Sequence, residues 1–173
     1  MAETPKRVLW AVKQLDVRTD DTILEIGCGD GSALSQISTR LRSGRVVGVD
    51  RSELAIRAAR RRNAAGLEKS TVHLVQSELA DLELREKFAK IFAINVNVFW
   101  HRPKKELVVV NQLLLPGGLL SLMFEPPAAD QLDTIAELTR RNLEAGGFEV
   151  VNEVRANLPA SAALMIQARP VHG

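Results

Sequence analysis

Thr22-Ile-Leu-Glu-Ile26 runs directly into Gly27-Cys-Gly-Asp-Gly31, after which Leu34, Ile37, Ser38 and Leu41 recur at helical spacing up to Gly44. A short apolar run followed by turn glycines and a 3.6-residue period predicts strand, glycine loop, helix. Such a loop sets backbone amides and a helix N-terminus at the carboxyl edge of a sheet, where α/β folds bind nucleotide-like ligands. The spacing is Gly27-x-Gly29-x-Gly31, with Ser32 where a pyrophosphate-binding loop needs its third glycine, so NAD and FAD are disfavoured. Asp50, about 20 residues further on, is placed to accept both hydroxyls of a ribose.

Outward from that loop the alternation continues. Arg45 to Val49 reads as a second strand, and Ser52 can cap a helix that runs to about Ala65 and is ended by Gly66. Val72 to Val75, Lys90 to Val96 and Gly118 to Phe124 read as further strands, separated by a short helix near Leu82 to Lys87 and a helix opening at Pro103. Asp130 and Asp133 begin a last helix, with Leu132, Ile135, Ala136, Thr139 and Leu143 on one face and Gly146-Gly147 at its end. Phe148 to Val154 and Ala162 to Ala168 then follow with only a short link around Asn157-Leu-Pro159, which can join antiparallel neighbours alone. The expected fold is α/β: a seven-stranded sheet of five parallel strands and a C-terminal antiparallel hairpin, with helices on both faces.

The chain has 173 residues, the size of one domain, and 46% hydrophobic residues, enough for a full core. Residues 1–173 are therefore read as a single domain, with 1–20 an N-terminal helix packing over the cofactor side and 21–173 the core. Cys28 is the only cysteine, and His73, His101 and His172 are too scattered for a zinc set, which excludes disulfide and zinc scaffolds. No run approaches the ~20 apolar residues of a membrane span, and the first residues lack the apolar centre of a secretory signal. A cytoplasmic location is expected, with no membrane partner. Residues 1–62 carry 12 Lys/Arg against 8 Asp/Glu, too mild an excess to announce a nucleic-acid surface, and Arg57, Arg60, Arg61 and Arg62 read as a solvated helix face.

The motif Glu25-Ile-Gly-Cys-Gly-Asp-Gly31 resembles the first motif of the class I S-adenosylmethionine-dependent methyltransferases, and the resemblance extends over nearly the whole chain. It implies a Rossmann-like fold and S-adenosyl-L-methionine as cofactor, with S-adenosyl-L-homocysteine as product. It also implies that Glu25 and the loop of Gly27, Cys28, Gly29, Asp30 and Gly31 line the methionine end, and that Asp50 holds the ribose. Gln76-Ser-Glu-Leu79 stands at the family's motif after the third strand, so that Glu78 would face the adenine amine and the Leu79 amide its ring nitrogen, with Arg51 against the adenine face. Asn95-Val-Asn97 follows the fourth strand as the fourth motif, which implies that Asn95 also contacts the cofactor, and Leu115-Pro-Gly-Gly118 matches the turn before the fifth.

Two departures stand out, of which the first is expected to change local packing more than activity and the second narrows the chemistry. Ala89 stands where the family often has aspartate, and Asn95-Val-Asn-Val98 has neither proline of the enzymes that methylate base or glutamine amino groups. No acidic residue at that strand end could hold a divalent ion as catechol-type members do, so no metal is expected. His101 follows the fourth strand at the ligand edge and is the candidate base, with a surface-loop histidine as the alternative. Phe99 and Trp100 either cover the sheet edge or form a substrate wall, and Asn97 and Glu125 complete the candidate substrate side. The leading expectation is a methyltransferase of a small-molecule acceptor. An RNA or protein methyltransferase and a cofactor-binding partner subunit without turnover are the alternatives, and a homodimer is left open.

Overall fold

The computed structural model describes residues 3–159 and 161–171, so His172 and both ends of the 1–173 domain reading lie outside the described residues. Seven strands form one sheet: β1 (Thr22–Ile26), β2 (Arg45–Asp50), β3 (Val72–Gln76), β4 (Phe88–Ile94), β5 (Leu114–Phe124), β6 (Phe148–Leu158) and β7 (Ser161–Pro170). Their spatial order is β3-β2-β1-β4-β5-β7-β6, with the first five parallel and β7 antiparallel to both neighbours. The expected sheet, hairpin included, is present. The order reverses at β1, whose neighbours are β2 and β4, and this topological switch point opens a crevice at the carboxyl ends of the strands.

Successive residues of a strand point to opposite faces, and the core is divided accordingly. Leu24, Val47 and Ile91 join one apolar cluster, whereas Ile23, Val46 and Phe92 join the other. The second is covered by α1 (Lys6–Gln14), α2 (Ser32–Ser38) and α3 (Glu53–Arg62) through Val12, Leu34, Ile37 and Ile56. After α4 (Ala64–Glu68), the opposite face is covered by α5 (Val98–His101), α6 (Lys104–Leu113) and α7 (Gln131–Ala145) through Phe99, Leu107, Ile135 and Leu143. Burying about ten such side chains at roughly 1.5–3 kcal/mol each supplies the gross driving force for closing both faces.

Three local expectations are corrected. Residues 82–87 form no helix; only a 3-10 turn, Leu79–Asp81, follows β3. The chain must return there from the carboxyl edge to the start of β4, and six helical residues advance only about 9 Å where extended ones advance about 20 Å. Gly66 does not end a helix but lies within α4, where a Cβ would meet Val72 Cγ2 at 2.6 Å. The helix ends earlier, at Asn63. Leu115 to Gly118 lies within β5 rather than before it, in the register shift between the pairs Phe88↔Leu114 and Lys90↔Leu119.

No described helix is long and apolar enough to cross a membrane.

Candidate active site

The glycine loop turns left-handed at Gly27, Gly29 and Gly31, with φ of 69°, 53° and 74°. At Gly31 glycine is also required by space, since a Cβ would lie 2.4 Å from Asn63 Nδ2 and 3.1 Å from Ala59 Cα. Asn63 is buried at the end of α3, where its Nδ2 donates to the Gly31 and Ala59 carbonyls, each at 3.0 Å. Arg62 beside it pairs with Asp30 at 2.7 Å. The end of α3 thus pins the start of α2, and an asparagine interrupting an arginine-rich helical run was the one sequence signal for it.

Most of the loop's amides are engaged within the protein. Those of Gly27 and Cys28 donate to Val49 O, that of Gly31 to Cys28 O, and that of Gly29 to Asp50 Oδ2 at 2.9 Å. The other Asp50 oxygen accepts the Ser52 amide at 2.9 Å, and Asp30 Oδ1 accepts the Ser32 amide at 3.1 Å. A pyrophosphate would find few donors here, in keeping with the absence of the third glycine at position 32. Cys28 faces inward beside Gly48, so neither its side chain nor its amide is presented to a ligand, and burial with the acids nearby pushes its thiol pKa up.

Beside the loop lies a cleft of about 530 Å³ lined by Gly27, Asp50, Arg51, Glu78, Leu79 and Asn95, which brings six of the expected cofactor residues together. Ser77, Val96, Val98 and Glu106 line it as well and were not foreseen. Among its described ionisable residues three are acids and one is arginine, and Arg51 already pairs with Glu78 at 3.6 Å. Beneath the loop, Glu25 is 3% exposed, and its Oε2 has no hydrogen-bond partner. Desolvation, followed by the charges of Asp30 and Asp50, raises its pKa well above the usual carboxylate range. Acids thus outnumber bases among the described residues that line the cleft.

Asn95 holds a left-handed conformation (φ 56°) at the end of β4, and its Oδ1 accepts the Glu125 amide at 2.7 Å, tying the ends of β4 and β5 together. Asn95 and Asn97 also line a second cleft of about 460 Å³, whose other walls include Trp100, Glu125, Pro126 and Ile135. The two clefts therefore adjoin along the β4 end. Trp100 Nε1 donates to Asn97 Oδ1 at 3.4 Å. Phe99 is core rather than wall, 1% exposed. His101 lines neither cleft: its ring stacks on Trp100 at 3.8 Å and faces a separate groove with Arg102, Leu107 and Asn142. Trp100 thus lines the second cleft, and His101, the next residue of α5, lines the groove beside it. The N-terminal helix α1 packs on α2 through Val8 and Val12 and on β5 and β7 through Ala11, and extends Arg7 to Glu125 at 3.5 Å.

Residues 23–118 match the family model described as a methyltransferase domain, more than half of the chain. The chain belongs to this family, the S-adenosylmethionine-dependent methyltransferases of class I with a Rossmann-like fold. It is 27% identical over 148 residues to an uncharacterized methyltransferase of Bacillus subtilis, covering 83% of this chain and 80% of that one. It is 28% identical over 155 residues to a fatty-acid O-methyltransferase of Mycolicibacterium smegmatis, covering 86% of this chain but 55% of the relative. A SAM-dependent methyltransferase from Aquifex aeolicus shares the fold with a TM-score of 0.77 at 19% identity, over 93% of this chain and 88% of its own.

Proposed function

We propose that the chain transfers a methyl group from S-adenosylmethionine to a small-molecule acceptor, without a metal ion, where the two clefts meet. The observation that carries this reading is the sharing of Asn95 and Asn97 by an acidic cleft beside the glycine loop and a second, more apolar one. When bound, the cofactor supplies an electrophilic methyl group on a sulfonium and a thioether leaving group.

Asp50 would hold the ribose. Both of its oxygens are oriented by backbone amides, and each keeps lone pairs for a hydroxyl. Glu78 and the Leu79 amide would receive the adenine edge, with Arg51 against its face. Glu25, with an unpartnered buried oxygen, and the loop from Gly27 to Gly31 would stand at the methionine end, where positive charge offsets the cost of a buried carboxylate. Asn97 and Trp100 would orient the acceptor on the far side. Displacement at a sulfonium needs little beyond in-line placement and exclusion of water, which an enzyme provides by positioning. The place of His101 outside both clefts favours a reaction that does not depend on it.

The name of the Mycolicibacterium relative lends support to a small acceptor. Incubation with methyl-labelled cofactor and separate small-molecule, RNA and protein fractions tests the reading. Label should enter a small-molecule fraction and disappear with Asp50→Ala, whereas label confined to RNA or protein would contradict it.

A further inference from the structure

The acceptor-side cleft has one ionisable side chain among its described lining residues, and it is a carboxylate. Glu125 follows β5 and is only 16% exposed at its side chain. Three elements far apart in sequence hold it: Ser161 Oγ at the start of β7 donates to Oε1, Arg7 on α1 faces Oε2 at 3.5 Å, and Asn95 at the end of β4 accepts its amide. Arg7 does not line the cleft, so its guanidinium fixes the carboxylate from behind rather than meeting the acceptor. A carboxylate has about four lone-pair sites, and these contacts use two. Glu125 lines a cleft whose other walls include Trp100, the rigid Pro126-Pro127 pair and the polar residues Gln131 and Thr134.

We infer that Glu125 selects the acceptor and takes its proton: the cleft admits a flat-ringed molecule that presents a neutral hydroxyl or amine, and excludes a carboxylate. This rests on the methyl-transfer reading above. A half-dry carboxylate is stabilised by a hydrogen-bond donor and opposed by a like charge at the same place. As the bond from the acceptor oxygen or nitrogen to the methyl carbon forms, the carbon–sulfur bond breaks and sulfur keeps its electron pair. The proton leaving the acceptor moves to Glu125, and the carboxyl later returns it to water. Sulfonium and carboxylate give thioether and carboxylic acid, so charge balances. The acceptor class differs from that in the name of the fatty-acid relative, whose acid group would meet Glu125 as an anion.

Calorimetry in saturating S-adenosylhomocysteine, with 2-naphthol and 2-naphthoate as matched probes, tests this apart from turnover. The wild-type chain should bind 2-naphthol at least about tenfold more tightly, and Glu125→Gln should bring the two within about threefold, because the glutamine repels neither probe. With 2-naphthol as acceptor, Glu125→Gln should lower kcat by about 10²- to 10⁴-fold with little change in KM. Arg7→Gln leaves the carboxylate in place and should keep the preference, which separates the charge effect from a fold defect. Equal or tighter binding of 2-naphthoate by the wild type, or binding of neither probe, overturns the inference. Failure to bind S-adenosylhomocysteine itself would overturn the methyl-transfer reading beneath it.

Discussion

Gly29 and Gly31 lie two residues apart in one loop, both left-handed, yet alanine at the two positions should have very different costs. At Gly29 a Cβ meets nothing within 4 Å, leaving only the left-handed strain of about 1–2 kcal/mol, partly offset by the reduced freedom of the unfolded chain. At Gly31 the same strain adds to a collision with Asn63 Nδ2 at 2.4 Å and with Ala59 Cα at 3.1 Å. Overpacking of this kind costs about 1–3 kcal/mol, and displacing Asn63 forfeits a hydrogen bond worth about 1 kcal/mol. Gly31→Ala should therefore lose about 3–5 kcal/mol and Gly29→Ala about 1 kcal/mol, read from urea unfolding midpoints at a common slope. Adding Asn63→Ala to Gly31→Ala should recover part of the loss, because it removes the group in the way while Ala59 remains. Equal losses at the two glycines, or strict additivity in the double variant, would refute the view that α3 pins the loop through Asn63.

Other outcomes follow from the same geometry. Asp50→Ala should weaken cofactor binding by about 2–4 kcal/mol in calorimetry, since a carboxylate that accepts charge-assisted hydrogen bonds is lost and the Gly29 amide loses its partner. An unchanged Kd in a folded variant would remove the β2 end from the ribose. The raised pKa of Glu25 means that the native state binds a proton the unfolded chain has released once pH passes the ordinary carboxylate value near 4.3. Stability without cofactor should thus fall as pH rises from there through the folded-state pKa, and Glu25→Gln should flatten that fall in urea titrations while weakening cofactor binding; a parallel fall in both proteins would contradict it. Trp100→Ala should raise KM for the acceptor with cofactor affinity unchanged, whereas His101→Ala should change turnover by less than about tenfold with no altered pH limb. A larger, pH-dependent loss at His101 would restore it as a base.

What could be read from the sequence was what short-range patterns encode. The parallel strands stand out as apolar runs, the first two closed by Gly27 and Asp50, and the loop from Gly27 to Gly31 with Asp50 marks the ligand edge in the sequence itself. The segment 82–87 misled because its leucines and charges suit a helix, while the sheet demands a long return in few residues and tertiary reach overrides propensity. Gly66 misled because glycine serves close approach as well as termination. On the substrate side, position after β4 was legible but direction was not: whether Trp100 or His101 faces the cleft depends on a single helical turn. Arg7 and Ser161 meet Glu125 from positions more than 30 residues away on either side, a convergence that no local pattern carries.

The acidic cleft beside Gly27, Asp50 and Glu78 is expected to receive S-adenosylmethionine rather than a dinucleotide. Calorimetric titration of the wild-type chain with S-adenosylmethionine, S-adenosylhomocysteine and NAD, each alone, tests it most directly. Micromolar-scale binding of both sulfur compounds with no heat from NAD is the predicted result; binding of NAD with neither sulfur compound would contradict the account.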